Sequence, residues 1–141
     1  MNRLAENYKK FLAQTGSSIT TATNGTSLDL GPNLLDDVCI DLLIGGVTGT
    51  TPTLDVTLQT SEDDATWTTE SDAFPQYTDA DATTVKVLGF NMNGNNSAGN
   101  ARRYLRLVFT PGGTTPDFTV CAVASVRAAE AGAALNDNSA L

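Results

Sequence analysis

Thr53-Leu54-Asp55-Val56-Thr57-Leu58-Gln59-Thr60-Ser61-Glu62-Asp63-Asp64-Ala65-Thr66-Trp67 is the stretch from which the fold can be read. Leu54, Val56 and Leu58 alternate with Asp55, Thr57 and Gln59. A period of two puts apolar side chains on one face of a strand and polar ones on the other. Ser61 to Asp64 break the alternation with short polar side chains that favour turns. Thr66-Trp67 opens a second β-prone run. The stretch reads as a hairpin with a carboxylate-rich turn.

The same period recurs on both sides. Val38, Ile40, Leu42 and Ile44 alternate with Cys39, Asp41 and Leu43 and stop at Gly45-Gly46. Leu105, Leu107 and Phe109 alternate with Tyr104, Arg106 and Val108 before Pro111-Gly112-Gly113, which reads as a turn. Phe118, Val120, Ala122, Ala124 and Val126 share one face of a last long strand. Cys121 and Val123 lie on its other face, so that strand is expected to be covered on both sides, by an N-terminal helix or a neighbouring chain. Shorter strands are expected at Ile19–Thr23, around Leu28 and Leu30, and over Thr84–Phe90. Thr48–Pro52 reads as a loop, and Pro75 confines its neighbourhood to an edge strand or loop. Asn91–Ala101, with Met92 near its start, reads as a long exposed loop.

About eight strands bounded by Gly, Pro, Asn or Asp predict an all-β fold, a two-sheet antiparallel sandwich of jelly-roll or immunoglobulin-like arrangement. Val38, Ile40, Leu42, Val56, Leu58, Leu105, Leu107, Phe109, Val120 and Val126 are its expected core. Leu4, Tyr8, Phe11 and Leu12 fall at helical spacing among Arg3, Glu6, Lys9 and Lys10, which predicts a short amphipathic N-terminal helix. Such a helix needs a surface to lie on. The expected organisation is a helical arm over residues 1–15, a sandwich over 16–127 and a flexible Ala-rich arm over 128–141. On this reading, removal of residues 1–14 leaves the sandwich folded.

The chain of 141 residues is long enough for one domain with a sizeable core. Its net charge of −8 argues against a nucleic-acid partner, which needs clustered Lys and Arg. Twelve acids and no basic residue fall between Lys10 and Lys86. That segregation describes either a solvated acidic surface or a dipolar molecule that docks its basic part on an acidic partner. No apolar run approaches the roughly 20 residues of a membrane span, and no secretory signal is evident. Cys39 and Cys121 sit in apolar runs and are expected as buried free thiols rather than a cross-sheet disulfide.

Histidine is absent from the sequence, which removes Ser-His-Asp and Cys-His catalysis, His-ligated zinc and iron, and the cupin metal centre. Gly45-Gly46-Val47-Thr48-Gly49 lacks the lysine of a phosphate loop. Glu62, Asp63 and Asp64, and Asp79 with Asp81, are the groups to weigh for calcium, but neither has an EF-hand spacing. No catalytic residue, cofactor or metal is therefore expected, and the protein is expected not to be an enzyme. Trp67, Phe74 and Tyr77 offer an alternative, a stacking platform in a carbohydrate-binding or adhesin sandwich.

The strand and turn from Leu54 to Asp63, leading to Trp67, resemble the capsid cement (decoration) proteins of short-tailed bacteriophages, the jelly-roll kind. Arg103-Tyr104-Leu105-Arg106-Leu107 followed by Phe118-Thr119-Val120 fits the same pattern, which covers residues 1–127. The resemblance implies a jelly roll and a structural virion protein that binds the outside of the head and clamps neighbouring major capsid proteins. It implies synthesis in the bacterial cytoplasm and a homo-oligomer, a dimer ahead of a trimer, without nucleic-acid or membrane partners. The alternative virion role is a minor tail or head-completion part. The expected capsid interface is Arg3, Leu4, Tyr8, Lys9, Lys10, Phe11, Leu12, Met92, Arg102 and Arg106.

Overall fold

A computed structural model describes residues 8–31, 35–70 and 74–128. Its strands are β1 (Tyr8–Ile19), β2 (Thr23–Asn24), β3 (Leu28–Asp29), β4 (Leu35–Ser61), β5 (Thr68–Thr69), β6 (Tyr77–Thr78), β7 (Thr84–Asn91) and β8 (Tyr104–Ala128). The only helix among the described residues is a 3-10 turn at Asp79–Asp81.

Two very long antiparallel strands organise the molecule. β4 and β8 pair from Leu35↔Ala128 to Ser61↔Tyr104, and the hydrogen-bonded sheet of eight strands is built around them. Residues 35–44 of β4 pair with β7 on one side and β8 on the other, and β8 continues there to β1. Residues 53–60 of β4 pair with β5 and β6, and the matching part of β8 with β2 and β3. The two halves thus form the layers of a sandwich, and β4 and β8 run through both.

The crossing between layers occurs where the sequence suggested a loop and a turn. Pairing continues through Thr48–Pro52 and Pro111–Gly113, with register shifts at Ile44/Val47, Thr48/Thr50 and Thr50/Thr53. Extra residues of this kind bend a strand and sharpen its twist without ending it. Gly49 (φ 120°) and Gly113 (φ 96°) take the left-handed backbone that the bend requires. A Cβ on Gly49 would come within 2.8 Å of the Thr115 carbonyl oxygen, so the two ribbons also need the missing side chain to pass.

In β4 alternation keeps its phase across the bend, whereas in β8 the inward positions change from odd (Leu105, Leu107, Phe109) to even (Phe118 to Val126). Val38, Ile40, Leu42 and Ile44 point inward before it and Leu54, Val56, Leu58 and Thr60 after it, all buried. They meet Leu105, Leu107, Phe109, Phe118, Val120, Ala122, Ala124 and Val126 in one core. All ten expected core residues are buried.

The N-terminal helix is corrected. Over its described part the chain is β1, antiparallel to β8 from Tyr8↔Arg127 to Ile19↔Phe118. A short isolated helix is marginal in water. The edge of β8 supplies a ladder of backbone hydrogen bonds and a core for Ala13 and Ile19 to enter, with Phe11 packed against it. The apolar pair Phe11 and Leu12 suits a helical stripe, but in β1 the two point to opposite faces, Phe11 to the core and Leu12 outward, and register shifts follow only at Leu12/Gln14 and Gln14/Ser17. Removing residues 1–14 would strip half of this strand and expose β8, so that truncation no longer leaves an intact sandwich. Residues 1–7 of the expected helix, and the expected C-terminal arm beyond Ala128, lie outside the described residues.

Candidate functional site

Each layer turns an outer face to solvent, and the two faces differ in chemistry. On the half built from β7, β4, β8 and β1, alternation sends outward the residues between the core positions. The ladders align them in rows across the strands. Val85, Leu43 and Cys121 form one row, and Val87, Asp41, Val123 and Leu12 the next. Gly89, Cys39, Ser125 and Lys10 form a third. Leu12 (49%), Leu43 (39%), Val85 (60%) and Val87 (64%) are the large apolar side chains left exposed among the described residues. All four fall on this one face. Scattered exposed apolar residues need no explanation, but a contiguous apolar sheet face marks a contact surface.

Cys39 and Cys121 are both half-buried free thiols on this face. Cys39 pairs with Ser125 and Cys121 with Leu43, so they sit four positions apart along neighbouring strands. At about 3.3 Å per residue that separation is too long for a disulfide. Burial, helped by the Asp41 charge, pushes the Cys39 thiol above its ordinary range. A shallow depression lined by Asp37, Cys39, Gly89, Asn91 and Ser125 opens at one end of the face.

The outer face of the other half is polar and its charges are spoken for. The Arg106 guanidinium lies 4.2 Å from the centre of the Trp67 ring, and its Nε donates to Gln59 Oε1 at 2.9 Å. Arg103 grips Asp29 through two 2.9 Å hydrogen bonds, and this guanidinium holds the Asp29 carboxyl below its usual range. Gln76 donates to Asp55. Phe74 and Tyr77, the other rings of the proposed stacking platform, are buried with their centroids 6.2 Å apart. They belong to the core, so Trp67, Phe74 and Tyr77 present no joint surface to a sugar.

The carboxylate-rich turns serve local structure. Asp63 accepts hydrogen bonds from the backbone of Thr66 (2.7 Å) and Ala65 (2.9 Å) and from the Ser61 hydroxyl (3.0 Å). These donors, the Thr66 and Ala65 amides first, hold its carboxyl down at about 2. Asp81 takes Lys86 at 2.8 Å and the Thr78 amide at 2.9 Å, closing a capping box on the 3-10 turn. Among the described residues no group of three or more His, Cys, Asp or Glu is placed to hold a metal ion. EDTA should accordingly leave the thermal unfolding midpoint unchanged in calorimetry. A drop of many degrees would reveal a calcium site in one of these turns.

The structure separates the expected interface residues. Lys10 and Leu12 lie on the apolar face. Lys9 is exposed with its ammonium 5.4 Å from the Phe11 ring centre, and Phe11 packs on the core. Met92 is buried at 2% exposure and cannot reach out from its loop. Arg102 is held in an ion pair with Glu70, and Arg106 covers Trp67 on the other layer. Tyr8 pairs with Arg127 in β1, while Arg3 and Leu4 lie outside the described residues. The loop after β7 is folded around Asn96, whose side-chain oxygen accepts from the Ala98 and Asn100 amides. Sequence reasoning did not single out Leu43, Val85 and Val87. Their signal was there, in strands apolar at both parities.

No family model and no curated protein matches the sequence. Solved structures do match the fold. The structure of infectious bursal disease virus, Gx strain, gives a TM-score of 0.53 at 11% identity, over 89% of this chain and 32% of that one. CBM28, a carbohydrate-binding module specific for non-crystalline cellulose, gives 0.46 at 16% identity, over 86% and 73%. CBM15, a xylan-binding module, gives 0.44 at 15% identity, over 86% and 78%. This chain spans about a third of the viral chain's length. At such identities the likeness is one of fold, a β-sandwich shared with part of a viral protein.

Proposed function

We propose that this chain is a structural, non-enzymatic virion protein that decorates the outside of a bacteriophage head and cements neighbouring major capsid proteins. The observation that carries the proposal is the exposed apolar face of Leu12, Leu43, Val85 and Val87. It sits on a sandwich in which Asp63 and Asp81 in the turns, and Arg102 and Arg103, are held by internal hydrogen bonds and ion pairs. Such a molecule is suited to bury protein against protein. The fold likeness to part of a virus structure agrees with this role, as does the resemblance of the Leu54–Trp67 hairpin to phage cement proteins. The net charge of −8 disfavours packaged DNA as the partner, and two unbridged thiols suit synthesis in a bacterial cytoplasm.

Cement proteins act through many copies, so each contact can be weak while the lattice total is large. Arg3 and Leu4 precede β1 and Lys9 is exposed at its start; with Lys10 and the apolar face of Leu12, Leu43, Val85 and Val87 these are the proposed shell contacts. The test is binding to purified heads that lack the protein. Full-length chain should co-sediment to saturation at hundreds of copies per head, on the order expected of a lattice ligand, and should raise the temperature of DNA release. A chain shortened by residues 1–7 keeps β1 and should unfold at the same midpoint, yet bind heads much more weakly. Saturation at a dozen copies or fewer would make it a connector or tail part, and no binding at all would end the cement reading.

A further inference from the structure

We infer that the Asn93–Gly94 peptide is a self-modification site, where the folded protein converts Asn93 to isoaspartate with loss of ammonia, and that Arg102 steers the product. The inference stands whether or not the chain binds a phage head. The sequence holds two Asn-Gly pairs, Asn24–Gly25 and Asn93–Gly94. The reaction needs a carboxamide free to swing, a following nitrogen free to attack it, and no side chain in the way. Glycine, without a Cβ, meets the last need in both pairs. The fold meets the others in one pair alone.

At Asn24–Gly25 the Gly25 nitrogen donates to the Leu107 carbonyl at 2.7 Å, and Asn24 is paired with Val108 in β2. A Cβ on Gly25 would stand 2.9 Å from the Ala13 carbonyl oxygen, so this peptide is wedged between β1 and β8. Asn93–Gly94 is exposed in the loop after β7. Gly94 has a φ of 88°, and nothing beyond its chain neighbours lies within 4 Å of where a Cβ would be. The chain is fixed on either side of the pair. The Asn93 amide donates to Asn91 Oδ1 at 2.8 Å, and Asn95 bridges to Ala101. No hydrogen bond among the described residues engages the Asn93 carboxamide or the Gly94 nitrogen.

Arg102 supplies the direction. One terminal nitrogen donates to the Asn93 main-chain carbonyl oxygen at 3.2 Å, while Glu70 holds the rest of the guanidinium. A cation on that oxygen stabilises the negative charge the peptide gains when the Gly94 nitrogen gives its proton to water. That nitrogen attacks Cγ of Asn93, the N–Cγ bond forms, and the Cγ–Nδ2 bond breaks. Nδ2 takes up a proton and leaves as ammonia. Water then opens the cyclic imide, its hydroxyl going to one carbonyl carbon and its proton to the imide nitrogen. Attack at Cγ gives aspartate. Attack at the main-chain carbon, whose oxygen Arg102 polarises, gives isoaspartate and turns the former main-chain carbonyl into a carboxylate beside Arg102. One hydrogen bond thus favours ring closure and selects the isoaspartyl product, which is one charge more negative than the starting chain.

The test stores the full chain for weeks at mildly alkaline pH, folded in one sample and unfolded in urea in another. Peptides are then mapped by mass spectrometry with fragmentation that separates isoaspartate from aspartate. In the folded chain Asn93 should react at least about tenfold faster than Asn24, which must wait for local opening. In urea the two should react alike. The isoaspartyl share at Asn93 should be higher in the folded chain than in urea. Glu70→Leu with Arg102→Met removes the guanidinium without stranding a buried carboxylate, and should return that share to its value in urea. Asn93→Gln should abolish the acidic species that otherwise grows on ion exchange. An Asn93 that reacts no faster than Asn24 in the folded chain overturns the site. An isoaspartyl share that folding does not raise overturns the role of Arg102, and this comparison needs no variant to fold.

Discussion

Leu107→Ala should lower the stability of this protein by about 2–5 kcal/mol, and Leu58→Ala by a similar amount. The two leucines are register partners on β8 and β4, and both are fully buried. They sit inside one layer and face the core shared with the other. Neighbours that belong to two hydrogen-bonded ladders cannot close in, because moving one side chain means moving a strand. The lost transfer energy and the remaining cavity therefore both count. Urea unfolding followed through the only tryptophan, Trp67, reads the effect directly. Thr57→Ala and Val108→Ala, the adjacent register pair pointing outward, should change stability far less. The double mutant Leu58→Ala/Leu107→Ala should cost less than the sum, since both deletions open the same cavity. If both single variants are neutral, the sheet is shifted by one residue and every face assignment is exchanged.

Faces were legible because one rule, the period of two, governs them. It holds within each half of β4 and β8, although β8 switches its inward parity at the bend, so the inward set could be named from residues such as Val56 and Leu105. Strand length was not legible. Thr48–Pro52 and Pro111–Gly113 have the composition of loops, and a bulged strand crossing between layers uses the same glycines and prolines for the same backbone angles. Residues 8–19 misled for a related reason. Phe11 and Leu12 are adjacent apolar residues that fit a helical stripe, but in β1 Phe11 packs on the core and Leu12 faces out, and only pairing with β8 distinguishes the cases. The apolar face was half visible. Cys121 and Val123 indicated a strand covered on both sides, but that Leu43, Val85 and Val87 join them depends on which strands are neighbours. Single-sequence patterns carry parity within a strand and no adjacency between strands.

Adjacency also creates the most consequential charge pair, which the sequence hides because Glu70 and Arg102 are far apart along the chain. Arg102 donates to Glu70 through Nε at 2.9 Å and a terminal nitrogen at 3.2 Å, and the Thr60 hydroxyl adds a bond of 2.5 Å. The Glu70 side chain is 6% exposed and that of Arg102 16%. Arg102 also reaches the Asn93 carbonyl and lies over the Phe90 ring, so it ties the loop after β7 to the segment before β8. Burial pushes the Glu70 carboxyl up, but the hydrogen bonds from Arg102 and Thr60, with the Arg102 charge, outweigh it and hold the group below its ordinary 4.5. Arg102→Ala strands a buried carboxylate and should cost about 3–5 kcal/mol at pH 7. Glu70→Leu with Arg102→Met should recover much of that loss, because no charge then remains to be desolvated. The pH dependence follows from the sign of the shift. With its folded value depressed, Glu70 stabilises the wild type above its unfolded pKa, and that contribution fades as pH falls through the folded value. Without Arg102, burial dominates and the folded value rises above the unfolded one, so the variant is penalised at neutral pH and relieved as the carboxyl takes up a proton. Urea titrations of the two proteins should therefore differ most near pH 7 and converge toward pH 3–4, roughly the range in which a glutamate becomes neutral. A gap that stays constant across that range would assign the loss to packing of the Arg102 stem on Phe90, and a loss below about 1 kcal/mol at pH 7 would mean that water reaches the Glu70 carboxylate as it does in an exposed pair.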